Sequence, residues 1–81
     1  MGMTKTVNTF KKLEEVDDID LKYAVETLRG MYHAALGGRL SPSEVERRLE
    51  DWQILEKVRP EYHNDFTFLV NSTKTIAFQN G

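Results

Sequence analysis

Phe66-Thr67-Phe68-Leu69-Val70-Asn71-Ser72-Thr73-Lys74-Thr75-Ile76-Ala77-Phe78-Gln79 is the stretch that decides the fold class. Phe66, Phe68 and Val70 alternate with Thr67 and Leu69, a period of two that points to a strand. Asn71-Ser72-Thr73-Lys74 has the composition of a turn. Thr75-Ile76-Ala77-Phe78-Gln79 then reads as the returning strand, so the pattern predicts a β-hairpin over about 66–79. A lone hairpin is marginal in water, so its apolar face must lie across something else.

Upstream there are two amphipathic helices for it to cover. Leu21, Val25, Leu28, Tyr32 and Ala35 follow a 4-3-4-3 spacing, which predicts a helix near 18–36. Asp17 or Asp18 can accept from its first free amides, and Gly37-Gly38 can close it in the left-handed conformation. Gly30 inside it predicts the close approach of a neighbouring element. Ser41-Pro42-Ser43-Glu44 is a capping box with proline at the first helical position. Leu40 and Val45 are placed as a hydrophobic staple. Val45, Leu49, Trp52 and Leu55 continue the stripe, and Pro60 disfavours helix at Arg59, which predicts a second helix over about 42–58. The short link between them folds the pair antiparallel. The expected fold is therefore α+β: an antiparallel helix pair with a C-terminal hairpin. Its core is expected to hold Leu21, Val25, Leu28, Tyr32, Leu36, Leu40, Val45, Leu49, Trp52, Leu55, Phe66, Phe68, Ile76 and Phe78.

The N-terminal stretch is ambiguous. Val7, Phe10, Leu13 and Val16 recur every third residue, which favours helix or irregular structure from about Asn8, while Thr4-Lys5-Thr6-Val7 also fits a third strand. Met1-Gly2-Met3 reads as a remnant ahead of a second start and is set aside.

Composition bounds the function. Eighty-one residues predict one domain over 1–81. Such a chain buries roughly 63% of its unfolded surface, enough for one small core and little else. With no cysteine, disulfides, thiolate metal sites and thiol nucleophiles are excluded. No apolar run has the length of a membrane span and no signal peptide is evident, so a cytoplasmic chain is expected. Net charge is −2 and no segment is strongly basic, so the field that gathers nucleic acid is weak.

Few residues invite chemistry. Glu61, His63 and Asp65 alternate, and an extended backbone would aim all three at one side, as a divalent-metal set would need. The plainer reading is a polar connection, and no metal is expected. His33 and Glu26, seven residues apart on one helix, are the only acid–base pair in view. No nucleophile–base pair, phosphate loop or paired-carboxylate motif can be assembled, so neither catalysis, nor a cofactor, nor a small-molecule substrate is expected. Glu14, Glu15, Asp17, Asp18 and Asp20 form the one dense charge run. They could dock a basic protein partner, or serve the positive end of the next helix. Trp52 reads as core first and binding anchor second.

Ala34-Ala35-Leu36-Gly37-Gly38-Arg39-Leu40-Ser41-Pro42-Ser43-Glu44-Val45-Glu46-Arg47-Arg48-Leu49 resembles the helix-turn-helix of small DNA-binding regulators. Ala35 matches the small residue where the two helices cross, Leu40 the apolar turn residue, and Val45 and Leu49 the buried positions of the recognition helix. The hairpin would make the whole resemble a winged helix. The resemblance implies a dimeric DNA-binding regulator with Arg39, Ser41, Ser43, Arg47 and Arg48 near the groove. Glu44, Glu46, Glu50 and Asp51 would repel the phosphates around them. The leading expectation is thus a non-enzymatic regulatory module that docks a protein partner or self-associates. The alternative is the winged-helix DNA-binding regulator.

Overall fold

The structure is a computed structural model that describes residues 2–80, and the side chains of 4–80. Met1 and the side chains of Gly2 and Met3, part of the supposed remnant, lie outside the described residues. Among the described residues five α-helices follow one another: α1 (Gly2–Glu14), α2 (Ile19–Leu36), α3 (Pro42–Asp51), α4 (Ile54–Lys57) and α5 (His63–Asn80), with a 3₁₀ turn, Pro60–Tyr62, before α5. No strand occurs among the described residues.

This corrects the expected α+β class, the C-terminal hairpin and the winged-helix likeness. Residues 66–79 lie inside one continuous helix. Its buried set is Phe66, Leu69, Val70, Thr73 and Ala77, spaced three and four apart as one face of a helix requires. The alternation of Phe66, Phe68 and Val70 is local and Phe68 is only half-buried. The supposed turn is held in the helix by its own side chains. The Thr73 hydroxyl donates to the Leu69 carbonyl at 2.9 Å and Thr75 to Asn71 at 2.9 Å. The β-branched and aromatic residues of this segment have a weak strand preference, which burial of a helical face overrides.

α2 and α5, each 18 residues, form the central pair. α1 lies against both of them. The Phe10 and Tyr32 rings sit 5.6 Å apart and Glu14 meets Arg29 at 2.8 Å, so α1 runs antiparallel to α2. Lys12–Asp65 at 2.9 Å and Thr6–Ser72 at 3.3 Å show that it runs antiparallel to α5 as well. Thr6, Phe10 and Leu13 are its buried stripe, so helix begins well before Asn8 and a third strand is ruled out. α3 packs on α5 and α4 on α2. The Cα extents, 33 × 30 × 17 Å, fit two layers of helices at spacings of about 8–10 Å.

The helix ends follow their local chemistry. The Asp18 carboxylate accepts from the Leu21 amide at 3.1 Å. At the other end of α2, Gly38 (φ 72°) takes the left-handed conformation. The Gly38 amide then donates to Ala35 at 3.1 Å and the Arg39 amide to Ala34 at 2.9 Å, the paired bonds of a Schellman closure. The Ser41–Glu44 capping box is formed in both directions, at 3.3 and 3.4 Å. Leu40 and Val45 on either side of it are both buried.

The second helix does not run to 58. α3 stops at Asp51, Trp52 caps it, and Gln53 sits at φ 50°, ψ 38°. Left-handed backbone costs a non-glycine residue about 1–2 kcal/mol. The break resets the helical phase. Ile54 and Val58 enter the core, while Trp52 and Leu55, both expected inside, are each 43% exposed. Of the other expected core residues, Leu36 and Phe78 are exposed and Phe68 and Ile76 half-buried. The remaining eight are buried.

Candidate functional site

Consider first what the acidic run does. Asp18 caps α2 and meets the Arg59 guanidinium at 3.2 Å. Glu14 pairs with Arg29 at 2.8 Å, and Asp17 reaches Lys22 at 3.9 Å. Asp20 stands in the first turn of α2, where its charge suits the helix dipole. Glu15 is exposed and makes no ion pair among the described residues. Most of the run is thus tied into the α1–α2 corner.

The arginines do not gather. Arg39 folds back so that its guanidinium carbon lies 3.4 Å from where a Cβ on Gly37 would be. Arg47 and Arg48 are neighbours on α3, so they point about 100° apart around the helix. Among the described residues none of the three makes an ion pair. Ser41 is spent on its cap and Ser43 is exposed.

The polar triplet is dispersed. Glu61, His63 and Asp65 fall on helical backbone, where alternate residues point apart. Glu61 faces Arg59 at 3.9 Å, Asp65 pairs with Lys12, and His63 Nε2 donates to the Val58 carbonyl at 2.6 Å. No group of three histidine or acidic side chains placed to hold a metal occurs among the described residues. No hydrogen bond joins His33 to Glu26; the His33 ring instead meets Tyr32 edge-on at 6.3 Å. No helix is long and apolar enough to cross a membrane among the described residues.

Two shallow hollows flank the end of α3. The first, about 340 Å³, is lined by Tyr23, Glu26, Thr27, Gly30 and Met31 of α2 and by Arg48 and Trp52. The second, about 290 Å³, is lined by Leu49, Glu50, Gln53, Leu55 and Glu56. A Cβ added at Gly30 would meet nothing within 4 Å. The close approach expected at Gly30 is therefore absent, and the glycine instead leaves the floor of the first hollow open. Trp52 and Tyr23 (51% exposed) are its two aromatic lining residues. Lys57 stands 4.9 Å over the Tyr23 ring. Sequence reasoning placed Trp52 inside and missed this site. One signal could have found it: Leu49 and Ile54 are five residues apart, which turns a continuous helix about 140° off its stripe.

A broader hollow, about 700 Å³, lies between α1 and the start of α5, lined by Thr4, Lys5, Asn8, Thr9, Lys12 and Asp65. Its two opposite charges, Lys12 and Asp65, satisfy each other at 2.9 Å, and Lys5 rests 4.8 Å over the Phe68 ring. A scan against protein-family models and searches of curated proteins and of solved structures each found no match to the chain.

Proposed function

We propose that this chain is a small non-enzymatic regulatory module that docks a protein partner through the Tyr23–Trp52 hollow. One observation carries the reading: a left-handed Gln53 interrupts α3–α4 and leaves Trp52 displayed beside an open glycine floor. Strained backbone persists where the surrounding structure holds it, and such outliers concentrate at functional positions. Tryptophan is the side chain most enriched among residues that dominate binding energy. Asp18, Glu14 and Asp65 are held in a cap and in ion pairs of the fold.

Docking accounts for the surface better than nucleic-acid binding by Arg39, Arg47 and Arg48. Arg47 and Arg48 diverge on α3, where Glu44, Glu46, Glu50 and Asp51 stand beside them, and Arg39 lies in the link before it. A gel-shift titration separates the two, because each phosphate contact would steepen the log–log salt dependence by about 0.9.

The test is comparative capture from host lysate on the immobilised 81-residue chain, with Trp52→Ala and Gly30→Gln beside the wild type. Both substitutions fall on exposed positions, so circular dichroism should show unchanged helix. A defined set of proteins held by the wild type and lost by both variants is the expected result. At a hot-spot tryptophan the loss is about 2 kcal/mol or more, roughly thirtyfold in affinity. Identical retention by all three chains, or retention of nothing, overturns the proposal.

A further inference from the structure

The Tyr23–Trp52 hollow is lined by one charge of each sign. Glu26 and Arg48 both line it and both are exposed. Neither makes an ion pair among the described residues. Elsewhere opposite charges on facing helices close on each other, as Glu14–Arg29, Lys12–Asp65 and Lys74–Glu46 do at 2.8, 2.9 and 2.8 Å. Lys57 stands 4.9 Å over the Tyr23 ring and is not among the lining residues. The lining comes from two elements. α2 contributes Tyr23 and Glu26, and the end of α3 contributes Arg48 and Trp52. Each element thus brings one aromatic ring and one charge, of opposite sign to the other's.

That arrangement constrains the occupant. A partner face of a single sign pairs with one of the two charges and meets its like at the other, which is strongly disfavoured at an interface. A purely apolar face would take both charges out of water unpaired. The occupant must set a cation against Glu26 and an anion against Arg48, and this hollow is itself such a face. In an isologous contact residue i of one copy meets residue j of the other while j meets i. A two-fold axis running between α2 and the end of α3 sets each element against the other copy's opposite element, and symmetry matches the two charges without adjustment. The same operation brings Trp52 of each copy toward Tyr23 of the other, and aromatic pairs add to the burial of their area. Nothing lies within 4 Å of where a Cβ on Gly30 would be, so a second copy can come close to the α2 backbone.

Resting on the docking reading above, we infer that the occupant of the hollow is a second copy of this chain, related by that two-fold axis, with Glu26 of each copy paired to Arg48 of the other.

Sedimentation equilibrium of the 81-residue chain tests this, from about 1 μM to about 1 mM. The mass should rise from the 9.4 kDa of one chain toward a dimer. Trp52 is the sole tryptophan, so its emission should shift to the blue over the same range. Glu26→Arg sets Arg against Arg at both charge contacts, and Arg48→Glu sets Glu against Glu. Each variant alone should dimerise about tenfold or more weaker than wild type. Mixed in equal amounts, the two variants regain both opposite-charge pairs and should form a heterodimer of about wild-type strength. Trp52→Ala should weaken the dimer about tenfold. Circular dichroism of all three variants, each altered at an exposed position, checks that the helices remain.

A mixture no stronger than its separate components would overturn the reciprocal pairing. Dimerisation untouched by Trp52→Ala or by both charge reversals would place the contact elsewhere on the molecule and overturn the inference. A single 9.4 kDa species throughout would overturn it as well. In that case the lysate capture decides the docking reading separately: a different protein, lost to Trp52→Ala and Gly30→Gln, would sustain docking without a second copy, and capture of nothing would end both.

Discussion

Two regions of this molecule treat their largest side chains in opposite ways. In the core where α5 packs on α2, Phe66 is completely buried, as are Leu13, Leu28 and Leu69. At the end of α3, Trp52 is larger than Phe66 and stays 43% exposed. The central pair is two long helices with unbroken stripes, and its buried hydroxyl, Thr73, bonds within its own turn. The α3–α4 segment is ten residues and four, joined through a residue in left-handed backbone. Apolar surface in the first region stabilises the fold. In the second it stays open to solvent.

The largest expected effect breaks the first region. Phe66→Ala removes a fully buried ring and should cost about 3–5 kcal/mol. In a domain of this size that lowers the melting temperature by roughly 12–40 °C, at about 4–8 °C per kcal/mol. Trp52→Ala should stay within about 0.5 kcal/mol of wild type, as substitutions at exposed sites do. Thermal melts of the two proteins decide it. Comparable losses would mean that Trp52 belongs to the core after all.

Next comes the joint that ties the two regions together. Gly38 has φ 72°, and a Cβ there would stand 2.9 Å from the Asn80 carbonyl oxygen at the end of α5. Gly38→Ala should therefore cost about 1–2 kcal/mol in backbone strain alone, with the clash added. Gly37 is the control. Its φ is −82°, and an added Cβ would meet the mobile Arg39 guanidinium at 3.4 Å. Urea midpoints should fall for Gly38→Ala and hardly move for Gly37→Ala. Equal midpoints would remove Gly38 as the hinge-point of that packing.

Local signals were legible wherever a chemical motif set the backbone. Asp18, Ser41 with Glu44, and Gly37-Gly38 bound α2 and the start of α3 as the sequence suggests. α5 was not legible, because its stripe is completed by Thr73, a polar residue, and Ala77, a small one that also fits a strand. Phe68, Ile76 and Phe78 fall off that stripe and supplied a false alternation. The exposure of Trp52 was hidden for a related reason. Val45, Leu49, Trp52 and Leu55 keep perfect helical spacing, and only the competing pair Ile54 and Val58 shows that the phase slips. Which set wins depends on α2, against which α4 packs, and no local pattern carries that.

Relieving the strain at that slip should sharpen the contrast by a smaller amount. Gln53→Gly keeps the left-handed backbone at little steric cost but adds freedom to the unfolded chain. The two effects oppose each other, and the balance should be a gain of about 0.5–1 kcal/mol. Chemical denaturation measures it. A loss of stability would show that the Gln53 side chain, and not only its backbone, supports the turn.

The smallest expected effect lies on the opposite flank of α3, where Lys74 of α5 meets Glu46 at 2.8 Å. The hydrogen bond from Lys74, with its positive charge, holds the Glu46 carboxyl below the ordinary glutamate value. A carboxylate favoured in the folded state adds stability above its unfolded pKa, and that contribution fades as pH falls through the lower folded value. The pair is open to solvent, so water and salt screen most of it. Between neutral pH and the acid side of the carboxylate range, wild type should lose slightly more stability than Glu46→Gln, and the gap should shrink in high salt. Parallel pH profiles for the two proteins would mean that α3 is held on α5 by Val45 and Leu49 alone, with no electrostatic share.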